Sequence, residues 1–116
     1  MGSFSFSKYE RLLNRKDFVN LNRLGKRIHR AHFTIIFMEN GLGIERIGIT
    51  ASKKTGNAVK RNRIKRRIRE FFRLHKRDFP QGFDVVIAAK KGADTLDFWQ
   101  IKEELCEPIL GKRFHA

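Results

Sequence analysis

The sequence predicts an α+β fold: a single αβββαβα domain over residues 1–116, a small mixed sheet with helices packed on it. Three observations carry this. A chain of 116 residues fits one domain with a modest core. Three short runs, HFTIIFM, RIGITA and FDVVIAA, are rich in β-branched and aromatic residues. Between Asn57 and His75 the apolar residues recur with the 3.6-residue period of a helix.

The elements follow in chain order. Asn14 and Asp17 can cap a short first helix with Phe18, Leu21 and Leu24 on one face and Gly25 as its stop. Lys26–Arg30 is a candidate short strand, and His32–Met38 is a clear one. Phe33, Ile35 and Phe37 alternate to one face of it, Thr34 and Ile36 to the other. The turn-forming loop Glu39–Gly43 leads to a strand over Arg46–Ala51, which suggests that these two strands form an antiparallel pair. Asn57 to about His75 is the longest helix, about 28 Å at 1.5 Å per residue. Phe83–Ala89 is nearly continuous in apolar residues, as a buried strand is. Asp97 with Gln100 makes a capping box for a last helix through about Glu107, and Pro108 disfavours its continuation. No repeat, low-complexity segment or linker divides the chain.

Charge is the dominant compositional feature. Lys and Arg number 26 against 12 Asp and Glu, a net charge of +14. Residues 52–77 hold 12 basic and 1 acidic residue, whereas residues 78–116 hold 5 basic and 7 acidic. The excess is therefore a localised element, and such a field needs a polyanion as partner. No apolar run is long enough to span a bilayer. MGSFSFSKYERLL has no apolar h-region, which predicts no signal peptide, and Phe6 breaks the myristoylation pattern. The single Cys106 reads as an inert, half-buried helix residue of a protein in the reducing cytoplasm.

On a wheel at about 100° per residue, Ile64, Ile68, Phe71, Phe72 and His75 share one stripe that can dock on the sheet. Arg61, Asn62, Lys65, Arg69 and Arg73 then lie on one ridge, Lys60, Arg63 and Arg67 on the opposite flank, and Arg66 on the outer crest. Like charges at i, i+4 repel, and cations in the first turns oppose the helix dipole. Glu70 is the one acidic residue between Lys60 and Arg73, against eight basic ones. An external anion relieves that repulsion, and phosphate is the obvious one. Lys53, Lys54 and the N–H groups after Gly56 can join in holding it. Phe18 is the best candidate to stack on an unpaired base, while most other Phe residues read as core.

The run Ser52-Lys53-Lys54-Thr55-Gly56-Asn57-Ala58-Val59-Lys60-Arg61-Asn62-Arg63-Ile64-Lys65-Arg66 resembles the signature of the bacterial ribonuclease P protein family, with Arg61-Asn62-Arg63 at its centre. Arg11-Leu12, Lys16-Asp17-Phe18, Phe33, Gly48-Ile49 and Val85-Val86-Ile87-Ala88 with Lys90 extend the resemblance over nearly the whole chain. It implies a left-handed crossover from the third strand through the basic helix to the fourth. It also implies a protein subunit that binds a catalytic RNA and the 5′ leader of precursor tRNA. The RNA would carry out Mg²⁺-dependent hydrolysis, so the protein would bring no cofactor of its own to the chemistry. By resemblance, Lys53, Lys54, Arg63 and Arg66 contact the catalytic RNA. Phe18, Ile36, Arg61, Asn62, Lys65 and Arg69 line the leader cleft. Asn22 and Ile36 stand where some members place aromatics, and Arg67 replaces a commonly apolar residue, free to snorkel outward or meet a phosphate. Family members also bind metal ions weakly, but the resemblance assigns no ligands here.

The chain does not read as a nuclease in its own right. Its carboxylates are scattered, His29 and His32 lack further metal ligands nearby, and Gly56 stands alone rather than in a phosphate loop. A ribosomal-type protein that binds rRNA structurally is the alternative. A DNA-binding regulator is disfavoured, because the docked stripe and the intervening strands leave no helix-turn-helix. The expected partners are thus the catalytic RNA and precursor tRNA, with no membrane and no DNA.

Overall fold

The computed structural model describes residues 15–75, 78–79 and 82–110. Four strands run over Lys26–His29 (β1), Phe33–Glu39 (β2), Arg46–Ala51 (β3) and Phe83–Ala89 (β4). The helices are Arg15–Leu24 (α1), Ala58–His75 (α2) and Phe98–Leu105 (α3). The order is αβββαβα. Asn14 and the Arg11-Leu12 pair lie outside the described residues.

The strands form one mixed sheet in the order β1–β2–β4–β3. β4 pairs antiparallel with β2 and parallel with β3. The expected antiparallel pairing of β2 with β3 is therefore wrong: β4 is inserted between them. The reason is burial. From Phe83 to Ile87 every residue of β4 is buried, and a strand with both faces covered belongs at the centre of a sheet. β3, shorter and less buried, takes the edge.

The two faces of the sheet hold different cores. On one, Ile28, Phe33, Ile35, Phe37, Ile47, Val85 and Ile87 pack against α2 and α3. On the other, Leu21 of α1 covers Ile36 and Val86, with Phe18 and Met38 at the margin. Phe33 and Phe37 are thus core residues, not stacking surfaces. Ile64, Ile68, Phe71 and Phe72 are at most 1 % exposed. Burial of each contributes about 1.5–3 kcal/mol, which fixes the rotation of α2 about its axis.

Leu24 does not join the buried face of α1: it is 66 % exposed. Gly25 ends the helix by donating its N–H to the Leu21 carbonyl at 2.8 Å. A Cβ on Gly25 would sit 2.6 Å from the Leu21 carbonyl oxygen and 2.9 Å from Ile36 Cγ2, so only glycine fits where the chain leaves α1 for β1. The Asp97–Gln100 capping box forms as expected, with bonds of 2.8 and 2.9 Å. Pro108 does not end the helical path outright. Cys106–Leu110 continue as one wider π turn, which seats Ile109 in the core.

Candidate nucleic-acid interface

The chain leaves β3 through a short 3-10 turn, Lys53–Thr55, before entering α2. Ser52 caps it, its Oγ accepting from Lys54 N at 3.3 Å, and Thr55 Oγ1 donates back to the Ser52 carbonyl at 2.6 Å. Gly56 at φ 139° makes the corner, where any side chain would collide with Lys60. Asn57 Oδ1 accepts the Lys60 N–H at 3.0 Å and caps α2, so that N–H is not free for an anion. The result is a rigid corner with the Lys53 and Lys54 side chains exposed. Ser52, Lys54 and Thr55 share a cavity with Ala89, Lys90 and Lys91 at the ends of the two parallel strands. Lys90 Nζ is committed to the Arg30 carbonyl at 2.8 Å, whereas Lys91 is exposed.

Along α2 the two flanks differ. Lys60 pairs with Asp94 at 3.9 Å, and Arg67 donates to the carbonyls of Leu96 and Asp94. This flank is tied to the turn that precedes α3. Arg67 therefore neither snorkels into solvent nor waits for a phosphate: it is a structural tether. The opposite flank carries Arg61 and Lys65, both half-buried, with Asn62 and Arg69 exposed beside them. Arg61 Nε is buried and has no hydrogen-bond partner among the described residues. Arg66 on the crest and Arg63 on the Lys60 side of it are both exposed. Arg73 is held by Glu70, whose hydrogen bonds raise its pKa above the usual guanidinium value.

The second sheet face adds the apolar part. Phe18 is half-buried on α1. Ile36 lies on the same face but is only 5 % exposed, because Leu21 covers it; it supports α1 from below. Thr34, Ala88 and Thr50 align across this face as small side chains beside the helix. The structure thus gathers Arg61, Asn62, Lys65 and Arg69 on one flank of α2, Lys53 and Lys54 at its entry, and Phe18 with Ile36 on the opposite sheet face.

The family model described as Ribonuclease P matches residues 6–112. The chain belongs to the ribonuclease P protein family. It is 45 % identical over 115 residues to the ribonuclease P protein component of Geotalea uraniireducens, covering 99 % of both chains. The solved ribonuclease P protein of Thermotoga maritima superposes with a TM-score of 0.80 at 36 % identity, over 87 % of this chain and 96 % of that one. A Staphylococcus aureus ribonuclease P protein mutant, described as defective in mRNA degradation activity, gives 0.81 at 31 % identity over 93 % and 89 %. The chain is accordingly a ribonuclease P protein subunit, part of an endoribonuclease that acts in tRNA processing, and its partner in the holoenzyme is RNA. No helix among the described residues is long and apolar enough to cross a membrane.

Two groups in this ribonuclease P protein are not apparent from its sequence. One is Arg46 of β3, which forms a two-point bond with Asp84 at 2.8 and 2.7 Å and reaches Asp17 of α1 at 3.2 Å. Hydrogen bonding to Asp84 raises its pKa above the usual guanidinium value, and Asp17 adds to this. A signal for it exists: Asp84 interrupts an otherwise apolar strand, and a buried carboxylate needs a partner. The other is His32, whose backbone N–H and Nδ1 meet the Glu104 carboxylate at 2.8 and 2.5 Å and pin α3 to the β1–β2 turn. Nothing in the spacing of residues 72 apart could show that.

Proposed function

We infer that this chain binds the catalytic RNA of ribonuclease P through Lys53, Lys54, Arg63 and Arg66. On the same reading it guides the 5′ leader of precursor tRNA along Phe18, Ile36, Arg61, Asn62, Lys65 and Arg69. The observation that carries the reading is the anchoring of α2. With Ile64, Ile68, Phe71 and Phe72 buried on one side, and Lys60, Arg67 and Arg73 taken by Asp94, two backbone carbonyls and Glu70, the cations left to meet RNA are those of the outer crest and of the Arg61 flank. Arg61 Nε has no hydrogen-bond partner among the described residues, and the half-buried Arg61 guanidinium suits a phosphate oxygen as a charge-assisted acceptor. Ile36 contributes indirectly, as the support under α1.

The chemistry itself belongs to the RNA subunit and its Mg²⁺ ions. Among the described residues no group of three or more His, Cys, Asp and Glu is placed to hold a metal ion. The protein supplies positioning and charge neutralisation in the cytoplasm, where its RNA partners reside. Reconstitution with the RNA subunit of the same host tests this. Protein and RNA together release the 5′ leader at low Mg²⁺ concentrations where the RNA alone is slow. Leader release by RNA-free protein would reject the assignment.

A further inference from the structure

We propose that Asp17 is a positioning residue for leader recognition, acting through Arg46 to set the orientation of Phe18. The inference rests on the leader reading above and deepens it. α1 has ten residues, too short to be stable alone. Its fully buried contact with the sheet is Leu21, with Phe18 only half-buried beside it. Arg27 Nη2 also donates to the Asn22 carbonyl at 2.9 Å, so the described fixed points of α1, Leu21 and Asn22, both lie in its second half and leave its first turns free to tilt. A further fixed point, one residue before Phe18, removes that freedom.

Asp17 supplies that point. Arg46 Nη1 donates to Asp17 Oδ2 at 3.2 Å, and both side chains are largely shielded, at 22 % and 19 % exposure. The Arg46 guanidinium cannot swing to follow α1, because Nε and Nη2 are both spent on Asp84. Asp84 is fixed in turn: it is 4 % exposed and accepts from Asn40 Nδ2 at 2.9 Å. Asn40, Asp84, Arg46 and Asp17 therefore form a relay from the sheet to α1. A planar guanidinium held at two points presents its third donor in one direction only. β3 also packs Ile47 into the core beneath α2, so the strand that carries Arg46 is shared by both walls of the proposed leader path.

Asp17 is the informative position to change. Removal of Arg46 leaves Asp84 buried without its cation and threatens the whole fold. Asp17→Asn keeps the size of the side chain and removes only its charge. The holoenzyme is reconstituted with the RNA subunit of the same host, and its affinity is measured for two precursors, one with a long leader and one with a leader of one or two nucleotides. The ratio of the two affinities isolates the leader contribution. Asp17→Asn should lower this ratio by about three- to tenfold. Asp17→Glu should restore most of it, and affinity for the short-leader precursor should stay as in the unmodified protein. Phe18→Ala serves as the control for the underlying reading. Should Phe18→Ala lower the ratio and Asp17→Asn leave it intact, the tether does not position the leader contact. Equal loss for both precursors would mean general destabilisation and overturns the proposal too. If neither variant changes the ratio, the leader reading itself fails, and the proposal goes with it.

Discussion

Arg61 and Arg67 lie six residues apart on one helix, and the structure gives them opposite tasks. Arg67 ends on two backbone carbonyls, whereas Arg61 leaves a buried donor unpaired among the described residues. Arg67→Ala should therefore cost about 1–3 kcal/mol of stability, because those carbonyls lose their donor. Its effect on RNA affinity should be far smaller than that of Arg61→Ala. Arg61→Ala should weaken binding of the long-leader precursor by roughly tenfold and leave the thermal midpoint nearly unchanged. Denaturant melts and binding titrations on both variants separate the two roles, and the reverse pattern would contradict the assignment. His75 offers a pH test. Burial, then the nearby Lys102, lowers its pKa below the ordinary value of 6.5, partly offset by Asp78. The unfolded chain thus takes up a proton before the folded one does. Its stabilising contribution is complete above about pH 6.5 and falls as pH drops through that value, until folded His75 also protonates. His75→Gln should flatten the loss of stability between about pH 7 and 5. An unchanged profile would place the titrating group elsewhere.

At the scale of the element, α2 is the most legible feature of the sequence. Its stripe and the exposure of its crest follow from a 3.6-residue period and need no tertiary information, whereas the Asn57 cap, which takes an N–H expected to be open to phosphate, does not. Ile68→Ala should cost about 2–5 kcal/mol and should loosen RNA binding only as far as the fold is lost. A large loss of affinity in a fully folded Ile68→Ala protein would instead place that side chain at the interface. The capping box of α3 is equally plain, since Asp97 and Gln100 are local. Pairing is not. The turn chemistry between β2 and β3 suggests a hairpin, yet strand neighbours are chosen by where apolar surface can be covered, and β4 competes for both partners. Leu24 departs from expectation for a similar reason. The helical period puts it inward, but the apolar cluster under α1 takes in Leu21 and Phe18 and not Leu24, a limit set by β2 and β4 rather than by α1's own turns. Arg67 shows the limit of charge counting, because a cation on a basic helix can be spent on carbonyls that the sequence does not bring near.

Across the whole molecule, charge and packing divide the work. The C-terminal third, with 7 acidic and 5 basic residues, closes the core through Ile101, Leu105 and Ile109 and carries little of the field. The segment 52–77 carries most of it on a helix that the core cannot release. The family assignment, the element order and the basic surface are all readable from residue order. The Asn40–Asp84–Arg46–Asp17 relay is not, because it joins parts of the chain far apart in sequence. The most direct test of an anchored helix that meets phosphates is the salt dependence of binding to the RNA subunit. It compares the unmodified protein with Lys53→Ala/Lys54→Ala/Arg63→Ala/Arg66→Ala over a range of monovalent salt. The slope of log affinity against log salt should shrink by roughly 3, about 0.7–0.9 for each phosphate no longer neutralised, with the melting curve unchanged. A variant that folds normally and keeps both slope and affinity would contradict the account.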